Sequence, residues 1–419
     1  MPRCSPIAAV LCALLLPAFA AAQSARDLPQ ALAAAEQLAP ELVLAELDAE
    51  TAEWARREAR GAFAPSVTVN GALTRNRDEI RVGGDVFVNQ WDTAANLQAR
   101  LTLDPSNVAR MRAQTYARDA AVLSEDERRA TLRWSVASVY LDLIAAQGIE
   151  EARRNAVVAR QTTVEAVTLL AAGGYARQLD VQRAELERVT SEAELLDAQA
   201  GVRAAAAALA WFTGWSAAEL VDGELDLPEF SQSEAPLERA AAARSELLRL
   251  AQRQRWRAAR WESAPDFSLT GRADFGRSSL RAPRGLDYVF TLGLSWNVFD
   301  GTRRARIRAA ALEMRRPTLN FAVEERSRRV DLAEASARLD VAEAREMLSL
   351  EAAAVASSLE SVTREAWRGG DATLPELADA EAARTEAEID VALARLERER
   401  SRLNVSLLEG ALEREEWPQ

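Results

Sequence analysis

The sequence predicts a mainly α-helical chain made of two copies of one plan, each interrupted by a pair of β-strands of membrane-spanning length. Three observations carry this. Ala, Glu, Arg and Leu fill runs of dozens of residues, with charged residues at 28% and aromatics at 6%, the blend of long amphipathic helices rather than of disorder. Two short stretches, PSVTVNG (65–71) and PDFSLTG (265–271), break into strict alternation. Finally, landmarks recur in the same order, which marks an internal repeat.

AP at 64–65 returns at 264–265, and ARMRA (109–113) returns as ARIRA (305–309), with Asp104 matched by Asp300. GGYARQLDVQRAE (173–185) returns as GGDATLPELADAE (369–381), and WFTG ending at Gly214 returns as LLEG ending at Gly410. The last three pairs share a separation of 196 residues (109 to 305, 173 to 369, 214 to 410).

The elements follow in order. Residues 1–22 read as a signal peptide, with Arg3, an apolar core IAAVLCALLLPAF and a small-residue site at Ala20-Ala21-Ala22, too short to span a membrane. A lipid anchor on Cys12 is disfavoured by Leu11 before it and by the near absence of a basic region. The first repeat, 23–214, is expected to run helix 28–60, strands 65–77 and 92–103, long helix 106–172 and return helix 178–212. A linker at 215–235 follows. The second repeat, 236–410, carries helix 236–262, strands 265–277 and 287–299, long helix 302–368 and return helix 374–408, with a tail at 411–419.

Each long helix would extend about 100 Å at ~1.5 Å per residue, far more than a compact globule uses. Gly173-Gly174 and Gly369-Gly370 end them, as left-handed caps do. Pro317 lies inside the second long helix; an interior proline costs about 3 kcal/mol, so a kink or restart is expected there.

Chemistry is narrowed by what is missing. Both cysteines, Cys4 and Cys12, lie in the signal segment, and the chain has no His and no Lys. Thiolate and imidazole metal sites, Ser–His or Cys nucleophiles and Schiff-base lysines are thereby excluded. No phosphate-binding glycine loop appears, no cofactor is expected, and the −12 net charge argues against nucleic acid. Carboxylate catalysis survives in principle, but no acid pair stands out.

The strands alternate cleanly. Leu97, Ala99, Leu101 and Leu103 oppose Asn96, Gln98, Arg100 and Thr102, and the third strand puts Arg272 and Asp274 on its polar parity. Segments of ~9–11 residues with one apolar and one polar face suit a transmembrane barrel; a soluble sheet with one wet face alternates the same way. Four strands cannot close in lipid, where an open edge is forbidden, so membrane strands would require several chains in one barrel. The return helices carry heptads, Leu186, Ala193, Ala200 and Ile389, Leu396, Leu403, the spacing of helices supercoiled on neighbours. A pore-free periplasmic coiled-coil rod would share that spacing, though not the strands.

With these features the chain resembles the TolC family of outer-membrane efflux proteins. The resemblance rests on the duplicated plan, the Pro-led strands, the passage WNVFDGTRRARIRAA (296–310) and the tip segments after Gly174 and Gly370. It implies a homotrimer whose four strands per chain build a 12-stranded outer-membrane β-barrel continuous with a long periplasmic α-helical barrel. It further implies a passive, non-enzymatic exit duct for efflux or type I secretion, held in outer-membrane lipid and docked to a periplasmic adaptor and an inner-membrane RND or ABC-type transporter. By position it implies a periplasmic gate at Asp180, Arg177, Trp367, Glu376 and Asp379. The adaptor-docking tips would be Gly173, Gly174, Gly369 and Gly370, and Arg100, Arg272 and Asp274 would face the lumen. The gate arginine that the resemblance implies after the second turn is Ala372 here; Arg177 is a candidate substitute, and an i,i+3 Arg–Asp pair is equally an ordinary helix-surface pairing.

Overall fold

The computed structural model describes residues 27–78, 80–82, 85–88, 91–223, 240–277 and 287–413. The expected signal segment, most of the linker and the end of the tail lie outside them. In chain order the elements are α1 (Leu28–Leu38), α2 (Pro40–Gly61), β1 (Ser66–Arg75), β2 (Ile80–Val82), β3 (Asp85–Val88), β4 (Trp91–Leu103), α3 (Pro105–Ala172) and α4 (Gln178–Thr213). After them come α5 (Ala217–Val221), α6 (Ala240–Trp261), β5 (Asp266–Arg277), β6 (Asp287–Ser295), α7 (Arg303–Glu313), α8 (Arg316–Gly369) and α9 (Leu374–Glu409).

Local chemistry sets the boundaries. Asp104 caps α3, its carboxylate accepting from the Ser106 amide at 2.7 Å and so satisfying a donor that a helix start leaves open; Asp300, its counterpart 196 residues on, accepts from the Thr302 amide at 2.8 Å in the turn just before α7. Gly174 and Gly370 take φ of 81° and 84°, the left-handed backbone where any Cβ would be strained. Their neighbours Gly173 and Gly369 do not: Gly173 has φ −79°, and Gly369 is the last residue of α8.

Three expected elements are divided or trimmed. The helix expected over 28–60 is two, because Pro40 opens a new helix and Ala39 before it is extended at ψ 112°, as a residue preceding proline prefers. The helix expected over 302–368 restarts at Arg316, with Pro317 in the first turn of α8 where its missing N–H costs nothing. The strand expected over 287–299 stops at Ser295. A small hairpin, β2–β3, extends the first strand pair.

The four long strands form one antiparallel sheet in the order β1-β4-β5-β6. The helices repeat that order beneath it. α2, which feeds β1, packs on α3; α3, which leaves β4, packs on α6; and α6, which feeds β5, packs on α7 and α8, which follow β6. Lower down the order is α4, α3, α9, α8. The chain is therefore a single layer with strands at one end and two helical hairpin tips at the other. Its core lies midway, where α1, α3, α4, α5 and α9 converge on Tyr140, Leu209, Leu220 and Leu403. Arg133 pins it, donating to Glu36 Oε1 at 2.6 Å and to the Leu412 carbonyl at 3.0 Å.

Candidate functional site

The two tips pack on each other. Val167 and Ala184 of the first hairpin and Leu374 of the second form a small buried cluster, against which Val164, Ala176, Val181 and Trp367 lean. Trp367 is thus wedged between hairpins of its own chain. The acids around it have local partners. Asp180 accepts from Arg177 Nε and Nη2, each at 3.0 Å, and from the Arg177 amide at 3.2 Å. Those bonds, the guanidinium first among them, hold the Asp180 carboxyl below its usual range.

The second hairpin repeats this capping box in neutral form. Glu376 accepts from the Thr373 amide at 2.6 Å and the Thr373 hydroxyl at 2.8 Å, and the amide bond is the main reason its carboxyl is also held low. Arg177 and Thr373 are repeat partners, as are Asp180 and Glu376. Within one chain each acid closes its own helix start. Asp379, one turn on, is exposed. Ala372 has no charge to offer, and the Arg177–Asp180 pair lies within the first hairpin.

Residues that the sequence reading passed over tie the hairpins together farther from the tips. Glu381 of α9, 4% exposed, accepts from Arg160 Nη1 at 2.8 Å, Thr163 Oγ1 at 3.0 Å and Arg364 Nη2 at 3.1 Å. Arg160 also meets Glu187 of α4 at 2.8 Å, whose carboxyl is pushed up by burial against the pull of Arg160. Arg364 pairs with the buried Glu360 as well. The network joins α3, α4, α8 and α9. One signal for it was in the sequence: Leu374, Leu377, Glu381 and Thr385 follow helical spacing, so a carboxylate sits on an otherwise apolar face.

At the other end, the sheet separates its faces. Register sets Arg100 beside Thr270, Gln98 beside Arg272 and Asn96 beside Asp274. Arg272 Nε donates to Asp274 Oδ1 at 2.8 Å, and Asn70 Nδ2 donates to Asn96 Oδ1 at 3.0 Å. Arg100, Arg272 and Asp274 therefore share one polar face. The opposite face carries Val69, Leu73, Phe267, Leu269, Tyr288, Phe290 and Leu292, all exposed, Phe290 and Leu292 at 76% and 78%. So large an apolar face is not left to water.

Both sides of the layer are likewise unfinished. β1 and β6 each pair on one side only among the described strands. Beneath β6, α8 turns Val341, Leu348, Val355 and Val362 outward at heptad spacing; beneath β1, α4 turns out Leu186, Val189 and Leu196. Of the two heptad stripes in the sequence, Ile389, Leu396 and Leu403 face the chain's own helices, whereas Leu186, Ala193 and Ala200 face away.

The family model described as outer membrane efflux protein matches residues 31–214. A search of curated proteins returns no match. Among solved structures, the chain is similar to the outer membrane protein VceC of Vibrio cholerae (TM-score 0.78, 18% identity, 91% of this chain and 96% of that one). It is similar to the CmeC outer membrane channel of Campylobacter jejuni (TM-score 0.78, 14% identity, 91% and 85%). It is also similar to the open-state MtrE outer membrane channel of Neisseria gonorrhoeae (TM-score 0.76, 20% identity, 91% and 88%). The chain thus has the fold of these outer-membrane channels.

Proposed function

We propose that the chain, whose residues 31–214 match the outer membrane efflux protein family model, is one third of a passive exit duct. The observation that carries the proposal is the layer's pair of matched open sides. β6 with α8 on one side and β1 with α2 and α4 on the other run the full height of the molecule. A surface and a different complementary surface on one chain join head to tail and close a ring when the rotation permits. Three copies give twelve strands, within the range of known outer-membrane barrels, and no strand edge is left in lipid. The apolar sheet face then meets the bilayer, while Arg100, Arg272 and Asp274 line water. A pore-free rod would have no use for that face.

At the far end three pairs of tips converge on the mouth of the duct. Asp180, Arg177, Trp367, Glu376 and Asp379 form its gate, and the turns at Gly173-Gly174 and Gly369-Gly370 meet a periplasmic adaptor that couples the duct to an inner-membrane RND or ABC-type transporter. Six carboxylates from Glu376 and Asp379 of three chains make the mouth cation-attracting. The duct performs no chemistry, and its cargo is whatever the transporter delivers.

The experiment is a detergent-corrected mass by light scattering, followed by conductance in planar bilayers. A mass of three chains with ion conductance is expected. A stable monomer, or a trimer without conductance, defeats the proposal.

A further inference from the structure

Just below the sheet, α3 and α6 frame a cleft of about 800 Å³ lined by Pro105, Val108, Arg112, Trp256, Arg257, Arg260 and Trp261 among others. Its side of the layer can be identified. On the opposite side Glu262 joins Arg110 at 3.0 Å and Arg306 at 3.3 Å, and Arg110 reaches Asp104 at 3.7 Å; Asp104 continues the polar parity of β4. On the cleft side Trp296, which continues the apolar parity of β6, donates from Nε1 to the carbonyl of Ser263, a residue of the cleft wall, at 3.1 Å. The cleft therefore opens beneath the apolar face of the sheet.

Its charges are also distinctive. Arg110 and Arg306 are paired with carboxylates, but among the described residues no carboxylate pairs with Arg112, Arg257 or Arg260. Arg260 lies over the Trp256 ring, 5.0 Å from its centroid, and Trp261 is more than half exposed. α3 and α6 have neighbours on both sides within the chain, so a second copy joining at the open edges leaves the cleft uncovered.

We infer that this cleft holds the anionic headgroup of a phospholipid of the periplasmic leaflet, with the acyl chains lying against the apolar sheet face above it. Arginine forks suit a phosphate, tryptophan concentrates at the membrane–water boundary, and unpaired cations beside a bilayer draw anionic lipid. The inference rests on the membrane reading proposed above.

The test uses the full-length protein extracted from membranes and offered phosphatidylglycerol or phosphatidylcholine in mixed micelles, with lipids retained per chain counted by native mass spectrometry. Phosphatidylglycerol should be retained in preference, and R112Q/R257Q/R260Q should lose that retention about fivefold or more. R110Q, on the other side of the layer, should stay within about twofold of the parent chain. Equal retention by the triple variant, equal loss in R110Q, or no preference for phosphatidylglycerol would overturn the site while leaving the membrane reading intact. A parent chain absent from the membrane fraction would overturn both.

Discussion

Arg160 of α3 and Glu381 of α9, 221 residues apart in sequence, meet at 2.8 Å inside the chain, and Glu381 is nearly sealed from water. This pair couples the two hairpins more firmly than the exposed acids at their tips. Removing one partner of a buried pair costs about 3–5 kcal/mol, because the other charge stays buried; the second carboxylate beside Arg160, Glu187, softens that loss. E381A should therefore destabilise the tip by about 2–4 kcal/mol. Hydrogen exchange of the amides around 160–190 and 364–385 reads it directly, and unchanged protection would remove the network from the coupling of the hairpins.

The caps make a pH prediction. Asp180 and Glu376 are both held below their ordinary carboxyl range by partners that exist only in the folded chain. Their contribution is complete above the unfolded value, about pH 4, and is lost as pH falls through the depressed folded value. Amides at 178–181 and 374–377 should lose protection as pH falls below about 4, before the α3–α4–α9 core does. Loss of the core first would contradict this order.

If Asp180 also gates the assembled mouth, D180A should raise the conductance of the reconstituted duct, and D180N, which keeps a cap acceptor, should raise it too while preserving helix-start protection. An unchanged conductance in both variants would take Asp180 out of the gate and leave it a capping residue.

The two tip glycines of the second hairpin should differ. Gly370 has φ of 84°, whereas an added Cβ at helical Gly369 would meet its nearest neighbour, an Asp371 carboxylate oxygen, at 3.7 Å. G370A is expected to cost about 1–2 kcal/mol. G369A should be neutral or stabilising by up to about 1 kcal/mol. Unfolding of the two variants in denaturant decides it, and the reverse order would refute the turn geometry.

The outward stripes predict assembly. Leu348 of α8 and Leu196 of α4 are exposed in the single chain, where a polar change usually alters stability by less than about 0.5 kcal/mol. L348D and L196D should keep the helical circular dichroism of the parent while the detergent-corrected mass falls from three chains to one. Retention of the full mass in both would place the interface elsewhere.

The sheet faces predict insertion. L269R places a charge on the apolar face and should cost about 2–4 kcal/mol near the bilayer midplane. T270R, one residue on and on the polar face, should be tolerated. Recovery from the outer-membrane fraction separates them, and equal recovery would undo the face assignment.

The sequence by itself determined what short-range rules decide. The paired aspartates Asp104 and Asp300 at the strand-to-helix passages, glycine turns at Gly174 and Gly370, the parity of the strands and the presence of heptads are all properties of a few neighbouring residues, and the repeat made each visible twice. Even the breaks at Pro40 and before Pro317 are local effects of a missing N–H and a crowded neighbour, and of the two only Pro40 was overlooked. What the tertiary structure alone decided is which face meets which. Heptad spacing states that a helix wants a neighbour but not whose, so nothing local distinguishes Ile389, which turns inward, from Leu186, which turns outward. Nor could it bring Arg160 to Glu381, or set Arg112 beside Trp261, since these residues lie far apart in sequence and meet only where the packing of α3 against its neighbours brings them together.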